Sequence, residues 1–170
     1  MNQADYIREA QKLLGVTVDG AFGKNTLDAL RTALGHTLVT PTPPAGSTGF
    51  KLSERDLKRM EGVDSRLIAI VHRAAEITEV QFTVTEGLRT RERQKQLVAS
   101  GASQTMNSRH IIGQAMDVAA VINGEIRWDW PLYPKIAKAF KAAATEQGKR
   151  ITWGGDWKTL KDGPHFQIEP

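Results

Sequence analysis

The sequence predicts an α+β domain with a mainly antiparallel sheet, preceded by a short helical module. Three observations carry that expectation. Apolar residues recur at helical spacing in several separate stretches. Among those stretches lie strand and hairpin signals: Val80, Phe82 and Val84 alternate, and Asn123-Gly124 is a strong type I′ turn dipeptide. Helices and hairpins are thus interspersed, without the regular βαβ order of a parallel sheet. Finally, the run from Thr40 to Gly49 is uncharged, has three prolines and lacks any bulky apolar residue, as an exposed linker does. It divides the chain into a helical module over 1–40, a linker over 41–50 and a larger domain over 51–170.

In the small module, Ile7, Ala10, Leu13 and Leu14 are expected on one helix face, with Gly15 as the C-terminal cap. Asp19-Gly20 and Phe22-Gly23 mark a compact turn before a second helix carrying Leu27, Leu30 and Leu34 and closed by Gly35. Such a two-helix unit is marginal by itself. In the larger domain, Ser53 and Asp56 have the spacing of a capping box, with Asp in place of Glu. Asp64 caps a longer helix with Leu67, Val71 and Ala74 or Ala75 facing inward. A half-buried strand follows over 80–85. Thr90 caps a helix carrying Gln94, Leu97 and Val98, stopped by Gly101. Residues 102–109 are small and polar, hence a loop. Residues 115–122 read as a strand, turned by Asn123-Gly124 into a partner over 125–128. Pro134 suits the first turn of a helix whose inner face includes Ile136, Ala137, Phe140 and Ala144 and which ends near Gly148. Residues 151–153 and 165–168 are short final strands.

Composition narrows the chemistry. The chain of 170 residues has no cysteine, which excludes disulfides, iron–sulfur clusters, thiolate zinc sites and a cysteine nucleophile. A metal must then be held by His, Asp or Glu, and the histidines are His36, His72, His110 and His165. The net charge of +4, from 23 basic and 19 acidic residues, falls in residues 51–170; residues 1–40 are balanced. So modest an excess suits an anionic partner or simply a solvated surface. No apolar run approaches the roughly 18 residues of a membrane span. Met1–Asp5 lacks a basic n-region and an apolar h-region, so no Sec signal is expected and the product should be made soluble in the cytoplasm.

Three segments carry candidate chemistry. The first is Ser108-Arg109-His110-Ile111-Ile112-Gly113-Gln114-Ala115-Met116-Asp117, in which Asp117 shares a strand face with the small Ala115. The second is Asp162-Gly163-Pro164-His165, a turn leading into a strand. The third is Arg89, just after the 80–85 strand. Two His and one Asp make a set of three N/O ligands, and catalytic zinc uses three protein ligands with a fourth position open. Asp162, three residues before His165, is near enough to serve as a proton acceptor. The bland reading stands beside this one: structural histidines, Asp117 capping a turn and Asp162 making an Asx-turn. His36 and His72 are read as structural. No His-Glu-x-x-His helix is present, which excludes the common zincin layout.

Ser108, His110, Gly113, Ala115 and Asp117, followed by Asp162-Gly163-Pro164-His165, closely resemble the signature of zinc D-Ala-D-Ala peptidases and the related phage L-alanyl-D-glutamate endolysins. Trp153-Gly154-Gly155-Asp156-Trp157 resembles the endolysin branch, and the likeness spans most of residues 51–170. It implies a small α+β zinc fold of the hedgehog/D-Ala-D-Ala-peptidase type. It implies that His110, Asp117 and His165 bind Zn2+ and that Asp162 stands in the place of the catalytic carboxylate, Glu in many relatives. Arg89, in Glu86-Gly87-Leu88-Arg89, resembles the arginine that steadies the substrate carbonyl or its oxyanion, a role suited to a fixed cation. Ser108 and Trp157 are expected at the substrate groove, Ser108 also shaping its loop; Asp156 is weighed as a residue orienting a ligand or as structural. Trp128, Trp130 and Trp153 are expected mainly in packing.

Residues 13–26, with Val18-Asp19-Gly20-Ala21-Phe22-Gly23 and Thr26, resemble the helical peptidoglycan-binding domain. Phe22 is read as a glycan or stem-peptide contact or as a core plug, and Asp19 as a turn residue. The resulting expectation is a monomeric endolysin, made without a signal peptide and acting on the cell wall after release. It would cut the L-Ala–D-Glu bond of peptidoglycan, without nucleic-acid binding or membrane insertion. The rivals are a D-Ala-D-Ala carboxypeptidase or dipeptidase, and a non-catalytic wall-binding protein with a relict zinc site.

Overall fold

A computed structural model of the chain describes residues 3–19, 26, 29–30, 33 and 49–170. The chain divides into two compact units, Met1–Thr42 and Pro43–Pro170.

In the first unit, helix α1 runs over Gln3–Leu13. It ends in a Schellman motif: Val16 N donates to Gln11 O and Gly15 N to Lys12 O, with Gly15 at φ 65°. The expected inner face needs one correction, because Leu13 is 86% exposed. The half-buried stripe is Ile7, Ala10 and Leu14, joined by fully buried Gln11. Gln11 can sit there because its Nε2 donates to Asp19 Oδ1 (2.7 Å) and Thr26 Oγ1 (2.9 Å), so the buried amide is satisfied. Thr26, Ala29, Leu30 and Ala33 are helical. Phe22, Leu27, Leu34, Gly35, His36 and residues 41–48 lie outside the described residues.

In the second unit Phe50 already packs: its N–H donates to Ala75 O and its ring meets Phe82 edge-on at 5.0 Å. Helix α2 spans Glu54–Arg59 behind a complete capping box. The Asp56 carboxylate closes that box and also accepts from Val84 N (2.7 Å) and Thr83 Oγ1 (2.6 Å), binding the helix to the sheet. Burial alone would push the Asp56 carboxyl up, but the bonds from Ser53, Thr83 and Val84 hold it below its ordinary value. A depressed folded value stabilises the fold above the unfolded value near 3.8, and that contribution is lost as the pH falls through the folded value. Asp56→Ala is therefore expected to cost about 3 kcal/mol at neutral pH, since it strands buried donors. The gap to the wild type should shrink below about pH 4. Urea titrations at pH 7 and pH 3 check this; a loss under 1 kcal/mol, or one independent of pH, would refute it.

Helix α3, Ser65–Ile77, starts at Asp64, which accepts from Arg66 N, and buries both Ala74 and Ala75 with Leu67, Ile70 and Val71. Strand β1 is Phe82–Glu86. Helix α4, Arg91–Ala99, is capped by Thr90 and fully buries only Gln94. Strand β2, Ala115–Ile122, turns at Asn123 (φ 54°) and Gly124 (φ 83°) into β3, Glu125–Arg127; both positive angles are those a type I′ turn requires. Helix α5 is Tyr133–Glu146, with Pro134 in its first turn. Strands β4, Ile151–Trp153, and β5, His165–Ile168, complete the sheet. The order is β1-β2-β5-β4, with β3 also on β2, and every pairing is antiparallel.

Side-chain alternation then assigns the two faces. Phe82, Val84, Met116, Val118, Ala120, Phe166 and Ile168 join α3 and α5 in one core. Stacking of Phe140 on Phe166, with ring centroids 4.0 Å apart, ties α5 to β5. Asp117, His165 and Gln167 alternate with these residues and so project from the opposite face. No described helix is long and apolar enough to cross a membrane.

Candidate metal centre and cleft

Ser108 caps a short 3-10 turn, Arg109–Ile112, its Oγ accepting from His110 N. Gly113 ends the turn at φ 67°, where a Cβ would collide with Gly62 O, so glycine is required on both counts. The chain then enters β2 and brings Asp117 back to His110. Across the β2–β5 ladder, Asp117 is the direct partner of His165.

Three donor atoms meet there. His110 Nε2 and Asp117 Oδ1 are 3.2 Å apart, His165 Nδ1 and Asp117 Oδ1 3.2 Å, and the two imidazole nitrogens 3.3 Å. Tetrahedral zinc with bonds of about 2.0–2.1 Å sets its ligand atoms about 3.3–3.4 Å apart. The residues therefore fit such an ion, and the three form the group able to hold a metal among the described residues. Outer partners aim the rings. His110 Nδ1 bonds Gly87 O at 2.7 Å, so that nitrogen carries the proton and Nε2 turns inward. His165 Nε2 bonds Gln167 Oε1 at 3.2 Å, and Gln167 Nε2 donates to Glu169 Oε1 at 2.9 Å.

The electrostatics favour positive charge at this point. Burial would raise the Asp117 carboxyl, but the bonds and charges of His110 and His165 hold it well below the carboxylate range. Burial works to lower His165, and the Asp117 hydrogen bond and charge outweigh it and push His165 up.

Arg89 is 9% exposed. Its Nη2 donates to Glu86 Oε2 (2.6 Å) and to the outer oxygen of Asp117 (3.2 Å), and its Nη1 to Gln94 Oε1 (2.8 Å). Its Nε has no partner among the described residues. Gln94 in turn donates to Ser103 Oγ and Thr105 O, tying the 103–105 loop to Arg89. Asp162 is held through its backbone N–H to Gly154 O. Its carboxylate has no hydrogen bond among the described residues; burial and the charge of Asp117 raise it, partly offset by His165, His110 and Arg89. The Trp157 ring lies 5.0 Å from that of His165.

All seven residues singled out in the sequence, Arg89, Ser108, His110, Asp117, Trp157, Asp162 and His165, line one cleft of about 670 Å3. Others do not join it. His72 is exposed on α3. Asp156 pairs with Lys141 Nζ at 2.6 Å, which gives it a structural role; the ligand-orienting bonds come from Gly87 and Gln167. Trp153 is buried with its Nε1 on Gly163 O and Trp130 stacked on it, while Trp128 is exposed. Gln94 and Gln167 went unnoticed as site residues. The available signals were a polar residue on the inward face of α4 and an amide two positions after His165 on the same strand face.

Residues 48–167 match the family model described as phage L-alanyl-D-glutamate peptidase. The chain is similar to the L-alanyl-D-glutamate peptidase of Escherichia phage T5, 34% identical over 117 residues, covering 66% of this chain and 85% of that one. It is also similar to the L-alanyl-D-glutamate peptidase of Listeria phage A118, 38% identical over 94 residues, or 55% of this chain and 32% of that protein. Among solved structures it resembles the Serratia marcescens L-Ala D-Glu endopeptidase ChiX, with a TM-score of 0.68 and 43% identity over 72% of this chain and 92% of that one. A conserved architecture at this identity, together with the matched model, settles the assignment: the chain belongs to the phage L-alanyl-D-glutamate peptidase family.

Proposed function

We propose that this chain is an endolysin that hydrolyses the L-Ala–D-Glu bond of the peptidoglycan stem peptide, with a zinc ion held by His110 Nε2, Asp117 Oδ1 and His165 Nδ1. The observation that carries the reading is the triangle of donor atoms, 3.2, 3.2 and 3.3 Å on a side, beside an unbonded carboxylate on Asp162. Bound zinc supplies a Lewis acid for the scissile carbonyl and makes water acidic enough to lose a proton near neutral pH. Asp162 accepts a proton from the attacking water on its carboxylate and returns it to the D-Glu nitrogen as the amide bond breaks. Arg89 keeps Asp117 oriented through its outer oxygen, and its buried cation supplies positive potential for negative charge developing on the carbonyl oxygen. Ser108 and the Trp157 ring border the groove in which the stem peptide lies. The N-terminal unit serves as a wall attachment that raises the local enzyme concentration.

One experiment tests both parts. Purified cell wall and soluble muropeptides are digested with the full chain and with a chain lacking residues 1–49, and the products are read by mass spectrometry. New L-Ala C-termini and D-Glu N-termini are expected from both proteins on soluble substrate, with the shortened one weaker on intact wall. The cut leaves Phe50 in place against Phe82. Release of free D-Ala with L-Ala–D-Glu intact would overturn the assigned bond. Loss of soluble-substrate activity on truncation would make the N-terminal unit part of the catalytic fold.

A further inference from the structure

We propose that Arg109 reads the free carboxylate of the D-glutamyl residue and so sets substrate preference; this rests on the L-Ala–D-Glu reading above. The need for such a group follows from the substrate. A glutamyl residue acylated on nitrogen by L-Ala carries two carboxyl groups, and a linear stem can continue through only one. The other stays as a negative charge a few bonds from the scissile nitrogen.

Two arginines line the cleft among the described residues, Arg89 and Arg109. Arg89 is buried and its Nη groups are taken by Glu86, Asp117 and Gln94, two of them acids that already balance its charge. Arg109 is more open and less engaged. Its side chain is 34% exposed. Its Nη1 donates to Gln114 Oε1 at 2.6 Å. Its Nη2 stands 4.0 Å from Glu169 Oε2, beyond hydrogen-bond distance, and neither Nη2 nor Nε makes a hydrogen bond among the described residues. The Nε–Nη2 edge offers the two parallel N–H groups that match a carboxylate.

The edge is also held in place. Gln114 grips Arg109 twice, its backbone N–H on Arg109 O (2.9 Å) and its side chain on Nη1. The residue sits in the capped turn between Ser108 and His110, so its backbone is positioned by the same turn that positions a donor of the metal triangle. A guanidinium fixed at both ends loses little freedom on binding. Glu169 is the competing anion, but its Oε1 is engaged by Thr152 and Gln167, which keeps it on the β4–β5 side.

The test compares kcat/KM on two synthetic stem peptides, one with the free D-Glu carboxylate and one with that carboxylate converted to its primary amide. The wild type should prefer the carboxylate by about tenfold or more, the scale of a charge-assisted contact. In Arg109→Gln the ratio should fall to within about twofold, and Arg109→Lys should lie between, keeping charge but not the fork. Bound metal measured in each variant identifies any collapse of the turn. A wild-type ratio near one overturns the proposal without any variant, and so does a ratio unchanged in Arg109→Gln. No cleavage of L-Ala–D-Glu in either peptide would overturn the functional reading itself, a result distinct from cleavage without preference.

Discussion

Asp162→Asn should lower kcat by about 10^3-fold, within the range for loss of a positioned acid–base group, while KM and bound metal stay near wild-type values. Asparagine keeps the size of the side chain and the backbone bond from residue 162 to Gly154 O, so the turn into β5 survives. It cannot take up a proton. The donor triangle does not include Asp162, which is why metal content and activity should separate. The carboxylate is half-buried at the cleft wall, and burial with the nearby charge of Asp117 raises it above its ordinary value. Asp162→Glu should retain measurable turnover, because the longer arm keeps the carboxylate in the same cleft. Single-turnover rates and metal analysis on one preparation decide the matter. A kcat within tenfold of wild type in Asp162→Asn, or loss of metal with loss of rate, would remove Asp162 from its proposed role.

Much of the fold was legible because its signals are local. Ser53 with Asp56, Asp64, Thr90, Asn123-Gly124 and Pro134 each act within a few residues, and each stands where its chemistry predicts. Leu13 went wrong for a reason that lies outside its helix. A stripe of Ile7, Ala10 and Leu14 closes on Gln11, and Asp19 and Thr26, from outside α1, bond the buried amide. The site was harder. His110 and His165 are 55 positions apart, and their approach depends on β2–β5 register, which no spacing rule supplies. Resemblance bridged that gap by pointing to both motifs together. It did not locate the supports. Gln94 and Gln167 look like ordinary polar residues until partners from other elements surround them. Asp156 lies next to Trp157 in sequence, yet the short turn at 154–156 directs it to Lys141 instead.

Chelation should abolish cleavage and lower the melting temperature, and added zinc should restore both. The three donor atoms and the bonds that aim them belong to the folded chain alone, so metal binding and folding are linked. At free metal about 1,000 times the dissociation constant the link is worth about 4 kcal/mol, on the order of 10 °C for a unit of this size. The bonds to Gly87 and Gln167 occupy the outer ring nitrogens, which leaves His110 Nε2 and His165 Nδ1 facing the triangle. Asp117→Asn separates charge from shape. It leaves the strand pairing and side-chain volume nearly unchanged but removes the negative charge that both imidazoles and Arg89 face. Loss of an outer partner alone costs about 10–100-fold in metal affinity, so loss of this charge should cost at least about 100-fold. Its melting temperature should then respond to zinc only at correspondingly higher concentration. Calorimetric melts across a zinc series, with and without chelator, give the outcome. A wild-type melting temperature indifferent to chelator and zinc alike, with cleavage intact, would show that the triangle holds no metal in the working enzyme.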